Sequence, residues 1–362
     1  MANTSFGVND ASAVKTWATE LSIAARDTLE IRPLIGEDEN AIIHLKTETR
    51  KSPGDRVRFS LLARLQGDGF TEGESALGNA EAMSLFTDDI LINELGNTVA
   101  PPSDATIDSQ RVVHKLRDKA KPLLGLWFAD RMAKWFFTQA CGYTPEARPK
   151  YYGFNAPTAP TSTRQVWAGT AANDQSLTSS DTFTLDLLLK AREKASVGES
   201  RVRPLRLKGG QDVYVAYLHD YQIRTLKSNF STGQWGDIQK AAMQGGMVEK
   251  NPIFQGSLGM YDNIILRRSQ DVTQGVNASS GAAISTVRRA VLLGAQSCCI
   301  AFGQNNGPTK YRWTEELDDH GRKLEVGGWA IAGMKKTVFA NGASGANVDF
   351  GTVVISTYAV AA

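Results

Sequence analysis

Apolar residues recur with a helical spacing in two segments of the chain, Ala11 to Leu29 and Asp108 to Ala140. The first predicts a short amphipathic helix that ends before Pro33 and has to lay its apolar side on its own domain or on a neighbouring subunit. The second predicts a helix of about 50 Å. Because Pro122 lies within it, we expect a kink or a break there.

A strand-like alternation of apolar and polar residues begins at Gly54 and continues to Leu65, and a second strand is predicted from Asp89 to Leu95. The intervening stretch is polar and rich in glycine, and it is too long for a tight turn. The pattern predicts an extended two-stranded projection with a loose tip. An isolated sheet of two strands is only marginally stable in water, so we expect the projection to lie on another surface.

The remainder of the chain mixes both patterns and follows a long irregular connection over residues 145–180. We expect a buried helix over Val287–Phe302, since this stretch is almost entirely apolar. The other predicted helices are Thr182–Ser196, Tyr221–Lys227 and Trp235–Met243, and the other predicted strands are Asp212–Leu218, Asn263–Leu266, Arg322–Gly333, Lys335–Phe339 and Gly351–Tyr358.

The composition is that of a globular protein. The 362 residues are 42% hydrophobic and 22% charged, which excludes a disordered, collagen-like or coiled-coil chain and allows about two structural units. The 40 basic residues nearly balance the 38 acidic ones, so a large positive field for gripping phosphates is absent, although local contact with nucleic acid stays open. The N-terminus lacks the apolar stretch of a signal peptide.

The sequence lacks the motifs of known catalytic and cofactor-binding sites. It has no phosphate-binding loop, no dinucleotide turn and no Gly-x-Ser-x-Gly elbow, and its four histidines lie far apart in sequence. The acidic group Asp68, Glu72 and Glu74 has oxygen ligands for a hard cation but is typical of a solvated loop tip. Cys141, Cys298 and Cys299 lack the spacing of a disulfide framework or a zinc site, which favours a reducing compartment. We therefore expect no catalytic residue, no cofactor and no metal.

The order of the predicted parts resembles the major capsid proteins of tailed bacteriophages with the Hong Kong 97-type fold. The sequence also resembles a broad phage coat family over most of its length, from Gly54 to Thr357. The resemblance is carried by the stretches GDRVRFSLLARLQGDGFTEGESALGNAEAM, WGDIQKAAMQGGMVEKNPIFQGSLGMYDNIIL, RRAVLLGAQSCCIAFG, GWAIAGMKKTVF and DFGTVVIST.

The resemblance implies an α+β fold and a division of the chain into five parts. These are an N-terminal arm (1–53), an extended β-loop (54–100), a peripheral domain with the spine helix and its connection (101–180), an axial domain (181–320) and closing strands of the peripheral domain (321–362).

The resemblance further implies self-assembly, through hexamers and pentamers, into an icosahedral shell around packaged double-stranded DNA. Such a protein is a virion component assembled in the host cytoplasm, with non-specific DNA contact, with portal, scaffolding or decoration proteins as further partners, and without a membrane. Candidate intersubunit contacts are Arg56, Arg58, Glu72, Glu74 and Trp17. Two alternatives stay open at this point, an encapsulin-like shell around a cargo protein and a soluble hydrolase or binding protein.

Overall fold

A computed structural model describes residues 30–46, 54–62, 69–75, 77, 80, 81, 83, 85–104, 106–111, 116–197, 201–207, 210–228, 258–303, 311–340 and 347–361. The predicted helices Ala11–Leu29 and Trp235–Met243 lie outside these residues. The α-helices are α1 (Ile107–Arg111), α2 (Leu116–Ala140), α3 (Leu185–Ser196) and α4 (Asp220–Ser228), and short 3-10 turns cover Arg32–Leu34, Pro149–Tyr151, Ser162–Arg164 and Asp174–Ser176.

Most of the strands belong to two sheets. The strands are β1 (Ile35–Gly36), β2 (Ile43–Lys46), β3 (Arg56–Leu62), β4 (Leu85–Leu91), β5 (Asn93–Val99), β6 (Gln165–Trp167), β7 (Leu205–Arg206), β8 (Asp212–Leu218), β9 (Gly259–Tyr261), β10 (Ile264–Arg268), β11 (Gln274–Val276), β12 (Ala283–Leu293), β13 (Cys298–Phe302), β14 (Tyr311–Asp318), β15 (Lys323–Lys336), β16 (Val338–Ala340), β17 (Asn347–Asp349) and β18 (Thr352–Tyr358). A six-stranded sheet has the order β1-β2-β13-β15-β14, with β5 also paired to β15. An eight-stranded sheet has the order β6-β18-β12-β8-β10-β9, with β11 on β12 and β7 on β8. The pairs β3-β4 and β16-β17 are separate.

The long helix α2 joins the two sheets through its buried aromatic side chains. Near its middle, Phe128 contacts Tyr311 of the six-stranded sheet, with ring centroids 5.0 Å apart. Near its end, Phe137 contacts Tyr217 of the eight-stranded sheet at 5.3 Å. The helix runs through Pro122 as one element, so the predicted break does not occur. None of the helices in the described ranges is long and apolar enough to cross a bilayer.

The eight-stranded sheet is covered on both faces, which explains its uninterrupted apolar strands. On β8, Val213, Val215 and Tyr217 belong to the core shared with α2. The alternate residues of β8 belong to a second core, which contains α3 and part of α4. The strand Asp212–Leu218 and the helices α3 and α4 confirm the corresponding predictions.

The predicted buried helix over Val287–Phe302 is wrong, because these residues form most of β12 and all of β13. Strand β12 lies inside the eight-stranded sheet, where both of its faces are buried, so its apolar residues lack the alternation that marks a half-exposed strand. The chain leaves β12 at Gly294, where a Cβ atom would lie 2.4 Å from the carbonyl oxygen of Arg203. This close approach requires glycine at the position that follows the strand.

Strand pairing joins distant segments of the chain. The C-terminal strand β18 pairs with β12. Strands β13 and β14 both pair with β15. Residues 43–46 form β2 beside β13. These pairings join segments that are far apart in sequence, so the local patterns did not indicate them.

Candidate functional site

The hairpin of β3 and β4 projects from the six-stranded sheet and confirms the predicted two-stranded element. Seven residue pairs join the strands, from Arg56 opposite Leu91 to Leu62 opposite Leu85. The predicted second strand, Asp89–Leu95, is in fact divided between β4 and β5. At the base, Val57 and Ile90 are buried against β13. Away from the base the strands lose this cover, and Leu62 and Leu85 are exposed.

Arg56 and Arg58, both candidate contacts, share one carboxylate on the opposite strand. Arg58 binds Asp89 through two hydrogen bonds, of 2.8 Å from Nε and 3.1 Å from Nη2. Arg56 donates to the same carboxylate at 3.3 Å. The hydrogen bond from Arg58 holds the pKa of Asp89 below its ordinary value. Two guanidinium groups on one carboxylate leave a net positive charge, and more than half of each arginine side chain is exposed.

A second charged contact fixes the base of the hairpin to the body. Lys335 forms an ion pair with Asp88, and its ammonium group also donates to the carbonyl oxygen of Asp89 at 3.0 Å. The carboxylate of Asp88 accepts a hydrogen bond of 3.2 Å from the amide of Val338. Strand β15 of the six-stranded sheet and strand β16, which follows it in the chain, therefore both hold β4.

The side chain of Asn155 extends β4 as a further strand would. Its Oδ1 accepts from the amide of Leu91 at 2.9 Å, and its Nδ2 donates to the Leu91 carbonyl at 2.7 Å. The carbonyl of Asn155 in turn accepts a 2.6 Å hydrogen bond from Gln139 of α2. The long helix thus reaches the hairpin through two polar residues. Sequence reasoning missed Asn155, which lies in an irregular connection.

The outer end of the hairpin carries the candidate acids and several exposed apolar side chains. Glu72 and Glu74 are exposed, and Glu74 accepts a 3.0 Å hydrogen bond from the amide of Thr71. The described contacts join Arg56 and Arg58 to Asp89 and not to these two acids. Trp17 lies outside the described residues. We call the exposed apolar residues of the hairpin its apolar tip, and they are Leu62, Phe70, Leu77, Met83 and Leu85.

The described residues that could take part in catalysis or metal binding either lie apart from one another or already contact other groups of the protein. His44 lies in β2, His219 follows β8 and His320 lies in the turn before β15. Glu315, a buried carboxylate outside those groups, is bound by Arg117 through hydrogen bonds of 2.6 and 2.9 Å. The three cysteines are buried, and burial raises the pKa of each thiol. Within the ranges that the structure describes, no three His, Cys, Asp or Glu side chains are grouped for a metal ion.

The sequence matches a family of known proteins. The family whose description is "Phage capsid protein" matches residues 5–361. Among curated proteins, the major capsid protein of Pseudomonas phage KPP25 is 25% identical over 368 residues, which cover 95% of this chain and 94% of the relative.

Solved structures show the same fold. The capsid of Ralstonia phage GP4 superposes with a TM-score of 0.79 at 27% sequence identity and covers 99% of both chains. The capsid asymmetric unit of Cyanophage Pam1 superposes with a TM-score of 0.70 at 21% identity and covers 92% of both chains. These similarities extend over nearly the whole chain.

Proposed function

The chain belongs to the phage capsid protein family and is a major capsid protein of a tailed phage, and we propose here which of its surfaces hold the shell together. It is a component of the virion and assembles with other capsid subunits. We infer that hexamers and pentamers are the units of assembly. We also infer a purely structural role without catalysis, in keeping with the separate or engaged polar side chains.

The apolar tip is the observation that carries this assignment of surfaces. Leu77 is 93% exposed and Met83 is 75% exposed. Several large apolar side chains that remain in water on one projecting element of a subunit favour a surface for another protein. In a shell of identical subunits the nearest partner is a second copy of the same chain, so we place the apolar tip at a contact between subunits.

Charge supports the same contact. The group of Arg56, Arg58 and Asp89 keeps a net positive charge close to the surface, whereas Glu72 and Glu74 give the tip a negative charge. We propose that the tip acids of one subunit face the arginines of another. Exposed pairs contribute little one at a time, but the contact recurs in every subunit and also selects the orientation of the partner.

Charge reversal tests this pairing. Arg56→Glu with Arg58→Glu and Asp89→Arg, which reverses the charge of the group but keeps opposite charges across the hairpin, or Glu72→Lys with Glu74→Lys, should each lower the yield of shells seen by electron microscopy of the purified protein. All five substitutions together should restore the yield. Arg111→Glu, in an exposed pair with Asp108 away from the hairpin, serves as the control. A combined variant that assembles no better than either set of substitutions would disprove the proposed contact.

We further propose that the shell contains double-stranded DNA, with non-specific contacts to its inner wall, and that portal, scaffolding or decoration proteins are additional partners. A total formal charge of +2 suits a wall that does not bind the packaged DNA tightly. Nuclease treatment of purified particles tests the contents. Protected DNA of genome length is expected, whereas particles filled with a single protein would indicate a cargo shell of the encapsulin type.

A further inference from the structure

Two arginine side chains flank a tyrosine where helix α4 meets the ends of strands β12 and β18. The guanidinium carbon of Arg288, on β12, lies 5.5 Å from the centroid of the Tyr221 ring, in a cation–π contact. Arg224 follows Tyr221 by three residues on α4, so these two side chains lie on the same side of the helix. We call Arg224, Arg288 and Tyr221 the arginine surface.

Hydrogen bonds hold the helix and the strands of this surface together. The buried Gln222 donates from Nε2 to the carbonyl oxygen of Arg288 at 3.2 Å and to the hydroxyl of Thr357 on β18 at 2.8 Å. Arg224 donates from Nη2 to the carbonyl oxygen of Val360 at 2.8 Å. Both arginines are therefore attached to the same junction of helix and sheet.

Neither arginine is neutralised by an acid of the described chain. The ion pairs among the described residues include neither Arg224 nor Arg288, and Asp220, the first residue of α4, forms none with them. Arg224 is exposed and Arg288 is half-buried. The Nε of Arg288 is buried without a hydrogen-bond partner among the same residues. Because a partly buried charge without a counter-charge is unfavourable, an anion from outside the subunit would stabilise this surface.

The chemistry of the surface favours a phosphate over an apolar protein partner. Guanidinium groups bind phosphate oxygens through paired N–H donors. The large apolar side chains that are exposed in the described chain include none from α4, β12 or β18. Ser285 and Thr286, at the outer end of β12, are exposed and polar. The arginine surface thus differs from the apolar tip and suits a polar, negatively charged polymer.

We propose that the arginine surface binds phosphate groups of the packaged DNA, an inference that rests on the proposed function of the shell as a container for double-stranded DNA. Phosphate contacts carry no information about base sequence, so the binding is non-specific. Two charges give weak binding to one subunit, and the many subunits of a shell repeat the contact along the DNA. A local pair of arginines is compatible with the total formal charge of +2.

The salt dependence of DNA binding by the free, full-length subunit tests the proposal. The probe is a short labelled DNA duplex of random sequence, and the readout is its fluorescence anisotropy. The logarithm of the binding constant falls with the logarithm of the salt concentration by about 0.9 for each phosphate contacted. Arg224→Gln with Arg288→Gln should therefore reduce the slope by about 1.8 and weaken binding by more than about tenfold in ~0.1 M salt.

Two further variants separate the loss of these charges from other effects. Arg312→Gln with Arg322→Gln removes two exposed arginines, on β14 and in the turn that follows it, and should keep the wild-type slope. Arg224→Lys with Arg288→Lys keeps both positive charges and should also keep the slope. A lysine variant that lost the slope as the glutamine variant does would contradict a phosphate contact based on charge.

Two other results overturn the proposal. Equal slopes for the wild type and for Arg224→Gln with Arg288→Gln, or no binding of the duplex by the wild type at low salt, would show that DNA does not contact the arginine surface. A glutamine variant that binds the duplex normally but forms fewer shells would assign the surface to a contact between subunits.

The contents of particles are measured separately, so a failure of this proposal can be distinguished from a failure of the proposed function. Nuclease-protected DNA in wild-type particles, together with equal slopes for the two proteins, would retain the proposed contents and remove only the arginine surface. Wild-type particles without DNA would refute the proposed contents, whatever affinity the free subunit has for the duplex.

Discussion

At the scale of single residues, the buried ion pair of Asp174 and Arg289 depends closely on its surroundings. The guanidinium Nε lies 2.8 Å from the carboxylate, and both side chains are almost fully buried. Asp174 also accepts hydrogen bonds from Gln165, Trp167 and the amide of Val276, while Arg289 donates to the carbonyls of Cys141 and Gly142. Both buried charges thus have hydrogen-bond partners, and the network connects β12 to the residues that follow α2.

We expect Asp174→Ala to lower the free energy of unfolding by about 3–5 kcal/mol, because it leaves the Arg289 charge buried without a partner. Asp186→Ala is the matched control. Asp186 pairs with Lys190 on the exposed side of α3, where an ion pair is worth less than about 1 kcal/mol. Urea denaturation of both variants checks the prediction. Equal losses would mean that water reaches Arg289 in the folded subunit.

His219 gives the subunit a dependence of stability on pH. It precedes α4, and its Nδ1 accepts a 3.1 Å hydrogen bond from the amide of Tyr221. Burial, assisted by the nearby charge of Arg288 and opposed by that of Asp220, lowers the pKa of His219 to about 4. Since the unfolded chain has the ordinary histidine pKa of about 6.5, it binds the proton first, and stability falls as the pH drops from about 6.5 towards 4.

We therefore expect His219→Asn to reduce this loss of stability by roughly 2 kcal/mol at pH 5, because the amide oxygen of asparagine can still accept from Tyr221 but does not titrate. The measurement is the free energy of unfolding at pH 7.5 and at pH 5 for both proteins. His320→Asn, in an exposed turn, controls for histidine replacement in general. If wild type and His219→Asn lose equal stability, the folded protein already admits the proton.

At the scale of elements, the hairpin depends on the bridge that Asn155 forms to Leu91. Asn155→Ala removes both hydrogen bonds and leaves backbone groups at the end of β4 without partners, at a cost of about 1–3 kcal/mol. We expect faster hydrogen exchange of the β4 amides. Asn40 makes the same two-way bridge to Arg206 on an exposed surface, at 2.7 and 2.8 Å. Asn40→Ala should therefore cost less, because water replaces its bonds.

Elements with one buried and one exposed side could be predicted from the sequence, whereas elements buried on both sides could not. Strand β3 and helices α3 and α4 could be predicted because each has one buried and one exposed side, and their periodicity records that difference. Strand β12 could not, because both of its faces are buried. At the site, Arg56 and Arg58 were recognised from strand alternation. Their partner Asp89 was not, since which residue lies opposite Arg58 depends on the register of two strands.

Three exposed leucines of α2 show a related effect in the opposite direction. The sequence of α2 predicts a broad apolar face, and most of that face is buried between the two sheets. Leu116, Leu123 and Leu126 belong to the same apolar pattern, yet the structure leaves them exposed. Periodicity indicates which residues are apolar but not which neighbour covers them. The surplus of apolar positions on a helix can therefore be interpreted only after its packing is known.

At the scale of the whole molecule, folding and assembly use different apolar surfaces. The two large cores of the described chain are filled mainly by residues of the sheets and of the helices α2, α3 and α4, whereas the apolar tip contributes to neither. Stability of the subunit and cohesion of the shell should therefore respond separately to substitution. A protein that must remain a folded subunit before it assembles requires this separation.

We expect Leu77→Ser with Met83→Ser to change the free energy of unfolding of the free subunit by less than about 0.5 kcal/mol, as is usual for exposed positions. The same substitutions should raise the subunit concentration needed for shell formation, because every subunit loses apolar contact with its neighbour. Light scattering against concentration, with electron microscopy of the products, measures the effect. Leu189→Ser on α3 is the control for an exposed leucine away from the hairpin. Assembly of the double variant at the wild-type concentration would show that the tip remains in water within the shell, and the cohesion would then have to come from another surface.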